Sequence, residues 1–447
     1  MEKRLPNNWV ETKLGNVLNR ITNGANLEQS DLNTPNSYPI SRIETIANET
    51  IDFNRVKYCL PSSEQIKKYL LLNGDILFSH INSDKHLGKT AIYLSKTPLI
   101  HGVNLLLLRS NNTIFNSKTL NYLIKYLRLT GCFINIAQRA VNQSSINQKK
   151  LLNITIPLPP LAEQKRIADK LDILFGQLET IRKANDRIPE LIKKFRQQIL
   201  TYAVTGKLTE EWRREKKSNK WKSELASQCC QKVQSGGTPK GGQFENSGIP
   251  FLKVYNIVQN KIDFEHEPQY VSTEIQNSQI KKSIVYPGDV VMNIVGPPLN
   301  KVAIVPDTYP EWNINQAITL FRTKDYLDNR YLYYFFCEGS PVNSLINQTR
   351  GVVGQVNISL SQCRNFMITI PPIEEQKEII SRVQSLFEKV DIIEQRYQTL
   401  KTKLENLPQA LLHKAFKGEL VEQLPTDGNA ADLLREIEQL QKSIKKK

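Results

Sequence analysis

Two stretches of the chain carry apolar residues at alternating steps of four and three. The first runs Ile167, Leu171, Leu174, Leu178, Ile181, Asn185, Ile188, Ile192, Phe195, Ile199 and Tyr202. The second runs Ile379, Val383, Leu386, Val390, Ile393, Tyr397, Leu400, Leu404, Leu407, Leu411 and Lys414. That spacing keeps one stripe of a helix apolar and predicts a heptad seam against a partner helix. Each run opens on paired prolines, Pro159-Pro160 and Pro371-Pro372, followed by Glu-Gln-Lys. The prolines hold the entering chain extended, and Glu163 and Glu375 in the first turn suit the positive end of the helix dipole. Each run closes on a glycine, Gly206 or Gly418, placed as a helix stop. Pro189 and Pro408 fall inside the pattern and are expected to kink or break the helices. Asn185 takes a seam position, either as a buried amide that fixes register or as a solvent-facing residue at an imperfect seam.

The two runs are copies. Leu158–Leu208 laid on Ile370–Leu420 gives 14 identities in 51 positions without a gap, at a fixed offset of 212. Two unrelated coiled coils would share leucines, but not the prolines, the Glu-Gln-Lys and the closing glycine. The offset persists outside the helices: Trp9 matches Trp221, Ile21 matches Val233 and Gly24 matches Gly236. Asn73-Gly74-Asp75-Ile76-Leu77 resembles Pro287-Gly288-Asp289-Val290-Val291 and predicts a turn followed by a buried strand. The chain is thus an internal duplication of globular segment and long helix.

The globular segments mix short β-rich runs (Ala91–Leu94, Val302–Val305, Ala317–Arg322) with a few helices and many turn residues, which predicts a mixed α+β fold. The predicted divisions are a first globular domain over 1–157, a central helical region over 158–206 and a basic linker over 207–222. A second globular domain over 223–369, a second helical region over 370–420 and a tail over 421–447 follow. The tail, ending in three lysines, reads as a frayed, solvated end. Two equivalent units packing through one face do so most simply about a two-fold axis, so the helices are expected to pair as an antiparallel coiled coil with pseudo-two-fold symmetry. Some forty helical residues would make a rod of ~60 Å.

Composition narrows the class. With 40% hydrophobic and 23% charged residues the chain reads as a soluble globular protein, with no membrane partner. The run Leu105–Leu108 is far too short to span a bilayer, and the first residues hold no apolar signal core. Six cysteines without a Cys-x-x-Cys point to reduced thiols in the cytosol. A net charge of +16, carried mostly outside the two helices, suits a polyanionic partner.

No stretch reads as a catalytic centre or a metal site. His86-Leu87-Gly88-Lys89-Thr90 resembles the end of a phosphate loop, but Ser83 stands where the first glycine belongs, and a surface turn explains it better. Basic and amide-rich loops are the better candidates. Gly236, Gly237, Thr238 and Lys240 lie in a stretch that can bring backbone N–H groups to phosphates. Arg42, Lys253, Asn142, Gln143, Gln348, Arg350 and Gln355 carry side chains that read guanine and adenine edges.

The whole pattern resembles the specificity (S) subunit of type I restriction–modification enzymes. The resemblance rests on Ile156-Pro157-Leu158-Pro159-Pro160-Leu161-Ala162-Glu163-Gln164, on Ile370-Pro371-Pro372-Ile373-Glu374-Glu375-Gln376 and on Ala415-Phe416-Lys417-Gly418-Glu419-Leu420. Gly236-Gly237-Thr238-Pro239 and Gly288-Asp289-Val290-Val291 resemble motifs of its target-recognition domains, whereas the first half has Gly24-Ala25-Asn26 instead. The resemblance implies a non-catalytic reader of double-stranded DNA, each recognition domain taking one half of a bipartite target while the helices set the gap. It further implies two methyltransferase (M) subunits and restriction (R) subunits as partners, with S-adenosylmethionine, ATP and Mg2+ on those partners and no cofactor in this chain. An S subunit of a methylation-only or type II-like system, and a structural coiled-coil protein that binds DNA without sequence preference, are the alternatives.

Overall fold

The computed structural model describes residues 5–140, 143–218, 220–348 and 357–444. They form two compact units, one of residues 1–185 with 399–447 and one of residues 186–398. The prolines explain part of this division. The first helical run is cut in two, Leu161–Asn185 and Ile188–Val204, with Pro189 at the start of the second piece. There the missing proline N–H costs nothing. The second run is one helix, Ile373–Phe416, with Pro408 inside it. It gives residues 373–398 to the second unit and 399–416 to the first.

In the first unit, the core sheet is four-stranded and antiparallel, ordered Leu18–Asn23, Leu106–Ser110, Ile76–Phe78, Thr90–Ile92. Both faces are covered. Ile76, Phe78, Leu106 and Leu108 pack with Leu120, Leu123 and Ile124 of helix Ser117–Leu129. The alternate residues Leu77 and Leu107 pack with Ile46, Leu71 and Leu99. A strand buried on both sides reads as a continuous apolar run, which is why Leu105–Leu108 has no polar interruption. Helix Leu161–Asn185 joins this core through Ile167 and Leu171, together with Leu412, Ala415 and Phe416. Near its other end Arg182 reaches Leu404 O at 3.0 Å, so the two helical segments run antiparallel.

The second unit repeats the plan. Its sheet is ordered Cys230–Ser235, Ile318–Thr323, Val290–Asn293, Val302–Ile304, and the edge strand bulges at the corresponding place, Cys230/Lys232 against Leu18/Arg20. Ile199, Leu200 and Ala203 pack with Ile379, Ile380 and Val383, while Arg196 pairs with Asp391 and Glu394, again antiparallel. An α+β unit with a long helical arm is therefore present twice.

The seam is narrower than the heptad reading expects. Ile167, Leu171 and Leu178, like Ile379, Val383 and Val390, are buried, and Leu174 and Leu386 are half-buried, but Ile181 and Ile393 are 46% and 48% exposed. Between Leu171 and Asn185, and between Val383 and Leu404, the buried positions recur every seventh residue: Leu171, Leu178, Asn185 and Val383, Val390, Tyr397, Leu404. A single facing helix covers one apolar position per heptad here and leaves the second outward. Asn185 is buried, and its Oδ1 has no hydrogen-bond partner.

Two stretches that look solvated in the sequence are anchored. Within 207–222, helix Glu210–Lys216 holds Arg213 2.8 Å from the Glu375 carboxylate. The segment after Gly418 is tied down by Gln423 on Glu163, by Asp427 on Arg166 and by Ala430 N–H on Asn8 O. Charge composition shows that a segment can be solvated, but not that a distant carboxylate waits for it.

Candidate nucleic-acid interface

The Glu-Gln of each proline motif is what fixes a globular domain to its helix. Strand Val10–Lys13 pairs antiparallel with Thr155–Leu158, and Lys222–Leu225 with Met367–Ile370. This brings Trp9 Nε1 to Glu163 Oε2 and Trp221 Nε1 to Glu375 Oε2, each at 2.9 Å. The neighbouring Gln164 amide donates to Pro159 O and Ile114 O and accepts from Asn116 N–H; Gln376 does the same with Pro371 O, Tyr326 O and Asp328 N–H. All four side chains are fully buried. They therefore clamp domain to helix, in addition to the dipole partnership that the first-turn position gives Glu163 and Glu375. A second duplicated device braces each sheet: Asp75 holds Arg109 at 2.7 and 2.7 Å, and Asp289 holds Arg322 at 2.9 and 2.6 Å.

Arg42 and Lys253 stand at equivalent places in the two units. Each begins a short turn whose third residue on caps it, Arg42 N–H to Thr45 Oγ1 and Lys253 N–H to Asn256 Oδ1, both at 2.9 Å. Their charges are already partly engaged. The Arg42 guanidinium is 3.5 Å from Glu44, and the Lys253 ammonium sits 4.5 Å above the Phe244 ring.

The loop at Gly236 works differently from expectation. Gly236 crosses so close to another chain segment that a Cβ there would lie 2.1 Å from Ile314 O. Gly24 makes the same crossing, with Gly102 O 2.2 Å from where its Cβ would be, although its sequence motif differs. The N–H groups of Gly236 and Gly237 donate to Ile318 O and Ile314 O, and that of Lys240 to Gln279 Oε1 at 2.8 Å. Thr238 Oγ1 donates to Gln316 Oε1. Those three backbone donors are spent inside the fold, so they are not the N–H groups through which this loop could meet a phosphate. Gln279 and Gln316 were not legible as its supports, because nothing local marks a residue 39 or 78 positions away as a partner.

Two corresponding pairings lie next to the remaining candidates in sequence. In the first unit, strand Gln143–Ser145 pairs with Gln138–Ala140 on one side and with Ile81–Asn82 on the other, and Ile146 N–H donates to His80 O. In the second unit Asn357 bridges to Val295, and Ile358 N–H donates to Ile294 O. Asn142, Arg350 and Gln355 lie outside the described residues. Gln143 and Gln348 are described in their backbone alone, the first opening a strand and the second closing helix Ser340–Gln348. In each unit, then, residues that follow these candidates in sequence pair with the loop leaving the central strand.

His101 is buried at the Gly24 crossing, and burial pushes its pKa down to about 4, so it is a neutral core residue whose Nε2 bonds Leu105 O. Among the described residues no group of His, Cys, Asp and Glu is arranged to hold a metal ion, and all six cysteines are free thiols. No described helix is long and apolar enough to cross a membrane.

Comparison with known proteins gives a consistent result. The model of the type I restriction modification DNA specificity domain matches twice, over residues 6–190 and 220–402. A Methanocaldococcus jannaschii protein named as the type I restriction enzyme MjaX specificity subunit is 31% identical over 425 residues, covering 90% of this chain and 93% of its own length. The Escherichia coli K12 EcoKI specificity subunit is 27% identical over 451 residues, covering 97% and 96%. Among solved structures, a chain from a study of assembly and conformational transition in the type I R-M system aligns with a TM-score of 0.65 at 20% identity, over 93% of this chain and all of that one. The HsdS subunit from Thermoanaerobacter tengcongensis aligns at 0.64 and 19%, over 94% and 99%. Two specificity-domain matches, falling on the two clamped units found here, show that the chain belongs to the type I restriction–modification DNA specificity family.

Proposed function

We propose that this chain is the DNA-reading specificity subunit of a type I restriction–modification complex, each unit reading one part of a bipartite target. The observation that carries the reading is the duplicated clamp, Trp9–Glu163 and Trp221–Glu375, which fixes a whole α+β domain rigidly to a helical arm in both units. Rigid mounting is what base readout needs, because hydrogen bonds to groove edges tolerate little displacement. The net charge of +16 supports a polyanionic partner.

Partner subunits follow from the helices. Ile173, Ile181, Phe195, Ile393 and Leu400 are exposed on them by 41–58%. Apolar surface of this kind suits cover by another protein, and methyltransferase subunits are the partners the family offers, with restriction subunits joining them. Methyl transfer and cleavage then belong to those partners, together with S-adenosylmethionine, ATP and Mg2+.

The test is to replace residues 1–155 by the matching domain of another specificity subunit and to map modified adenines in the host genome. One half of the target should change while the other stays. A change in both halves, or in neither, would overturn the reading.

A further inference from the structure

One side of the first unit gathers charge that the clamp and the sheet do not use. Helix Ser117–Leu129 presents Lys125 and Arg128, both on the carboxylate of Glu49, and Lys125 also donates to Glu49 O at 3.2 Å. Arg128 Nη2 donates to Lys85 O at 3.1 Å, which draws in the loop after strand Ile81–Asn82. Lys89 Nζ donates to Ala47 O at 2.6 Å from the same side. On the hairpin next to that loop, Arg139 pairs with Asp84 at 3.7 Å.

Five permanent cations (Lys85, Lys89, Lys125, Arg128 and Arg139) therefore face two carboxylates, Glu49 and Asp84. Lys85 is exposed and His86 half-buried. Among the described residues neither side chain has a hydrogen-bond or ion-pair partner. The surplus is felt within the group. Burial first, then Lys89, Lys85 and Arg128, push the His86 pKa down; burial first, then Arg128 and Lys85, lower that of Lys89 against the opposite pull of Glu49. Bringing like charges together costs free energy unless an anion joins them.

Among its described residues the second unit has no counterpart. At the offset of 212, Lys89 corresponds to Lys301, whose Nζ likewise donates to a backbone carbonyl, Val254 O at 3.3 Å. Lys125 and Arg128, however, correspond to Cys337 and Ser340, and the loop Gly296–Asn300 carries no cation. Among the described residues the cluster is thus confined to one unit, and the shared fold forms without it.

We propose that Lys85, His86, Lys89, Lys125 and Arg128 form a phosphodiester-binding site of the first unit, which grips the DNA backbone beside the half-target that unit reads. The inference rests on the DNA-reading function proposed above. Its position supports it, because the loop that carries Lys85 is β-paired through Ile81–Asn82 to the hairpin of Arg139 and Gln143. Phosphate contacts of this kind fix register on the duplex while neighbouring groups read bases. The site also gives the pseudo-phosphate-loop residues His86-Leu87-Gly88-Lys89 a use without a nucleotide: they shape the turn that presents Lys85.

The test is a salt series, between about 50 and 200 mM, of binding to a duplex of arbitrary sequence. It uses the full-length chain, co-purified with its partner subunits where these are needed for solubility. Lys85→Ala should flatten the plot of log affinity against log salt by about 0.9. Lys85→Arg should keep the wild-type slope, and Lys194→Ala, an equal charge loss on a helix of the second unit, should leave it unchanged. A wild-type slope in Lys85→Ala overturns the site, as does equal flattening by Lys194→Ala. If the wild-type protein binds no duplex at low salt, the DNA-reading function fails first, and that result is distinct from either.

Discussion

The two units perform one structural task with different chemistry. In the first, the Glu163 carboxylate is fully buried and among the described residues receives only neutral donors: Trp9 Nε1 at 2.9 Å, Asn8 Nδ2 at 3.3 Å and Gln423 Nε2 at 3.3 Å. In the second, Glu375 meets Trp221, Thr209 and the guanidinium of Arg213, which also stacks over the Trp221 ring at 5.0 Å. Burial holds the Glu163 carboxyl above the usual carboxylate range, with Asp427 adding to the rise, while its three hydrogen bonds pull the other way. A duplicated sequence therefore does not imply duplicated energetics. The paired groups come from regions where the copies have diverged, the stretch 207–222 in one unit and the tail in the other.

The largest expected effect breaks the charged clamp. Glu375→Gln leaves Arg213 without its carboxylate and should destabilise by about 3 kcal/mol, as for removal of one partner of a buried pair. Denaturant titration followed by tryptophan fluorescence measures it. Glu163→Gln, keeping an acceptor for Trp9 and removing a buried charge that lacks a cationic partner, should cost less than 1 kcal/mol at neutral pH or stabilise. Equal losses for the two variants would erase the contrast.

The pH dependence sharpens the same comparison. With its pKa raised in the fold, Glu163 binds a proton more tightly folded than unfolded, so its contribution to stability falls as pH rises from the ordinary Glu value of about 4.3 through the raised one. Glu163→Gln should thus gain on the wild type as pH increases across that window and hold the gain above it. A wild-type advantage that grows with pH would refute the assignment.

A smaller effect separates the two helical seams. Pro408 cannot donate to Leu404 O, and Arg182 does so instead at 3.0 Å. At the offset of 212, Arg182 and Pro408 correspond to Glu394 and Arg196, which form an ion pair at 3.1 Å in the second unit. Arg182→Ala should cost about 1.5 kcal/mol, the range for a hydrogen bond from a charged donor. In a Pro408→Ala background, where the helix supplies its own N–H, the loss should shrink to a few tenths. A double-mutant cycle with no coupling would show that Arg182 does not repair the proline.

The smallest concerns Asn185, whose buried Oδ1 is unpartnered while Tyr397 fills the corresponding position of the second unit. Asn185→Leu should stabilise by about 1 kcal/mol, since an unsatisfied buried acceptor carries its desolvation cost with no return. Thermal unfolding at equal protein concentration reads it.

Much of this molecule was legible because its signals are local and repeated. The proline pair, the Glu-Gln-Lys, the closing glycine and the fixed offset of 212 determined by themselves that a globular domain and a helix occur twice, and the Gly-Asp turns marked the central strands. Only the tertiary structure decided what the repeated residues do. Glu163 and Glu375 look like first-turn helix residues, and 154 positions separate each from its tryptophan. Ile181 and Ile393 continue the apolar period yet stay exposed, because burial depends on what stands opposite, and periodicity reports only which side of a helix a residue is on. The Gly24 crossing escaped its motif because close backbone approach demands a missing Cβ and no particular neighbours. The cations around Glu49 and Asp84 come from three separate stretches, and only the folded chain brings them together.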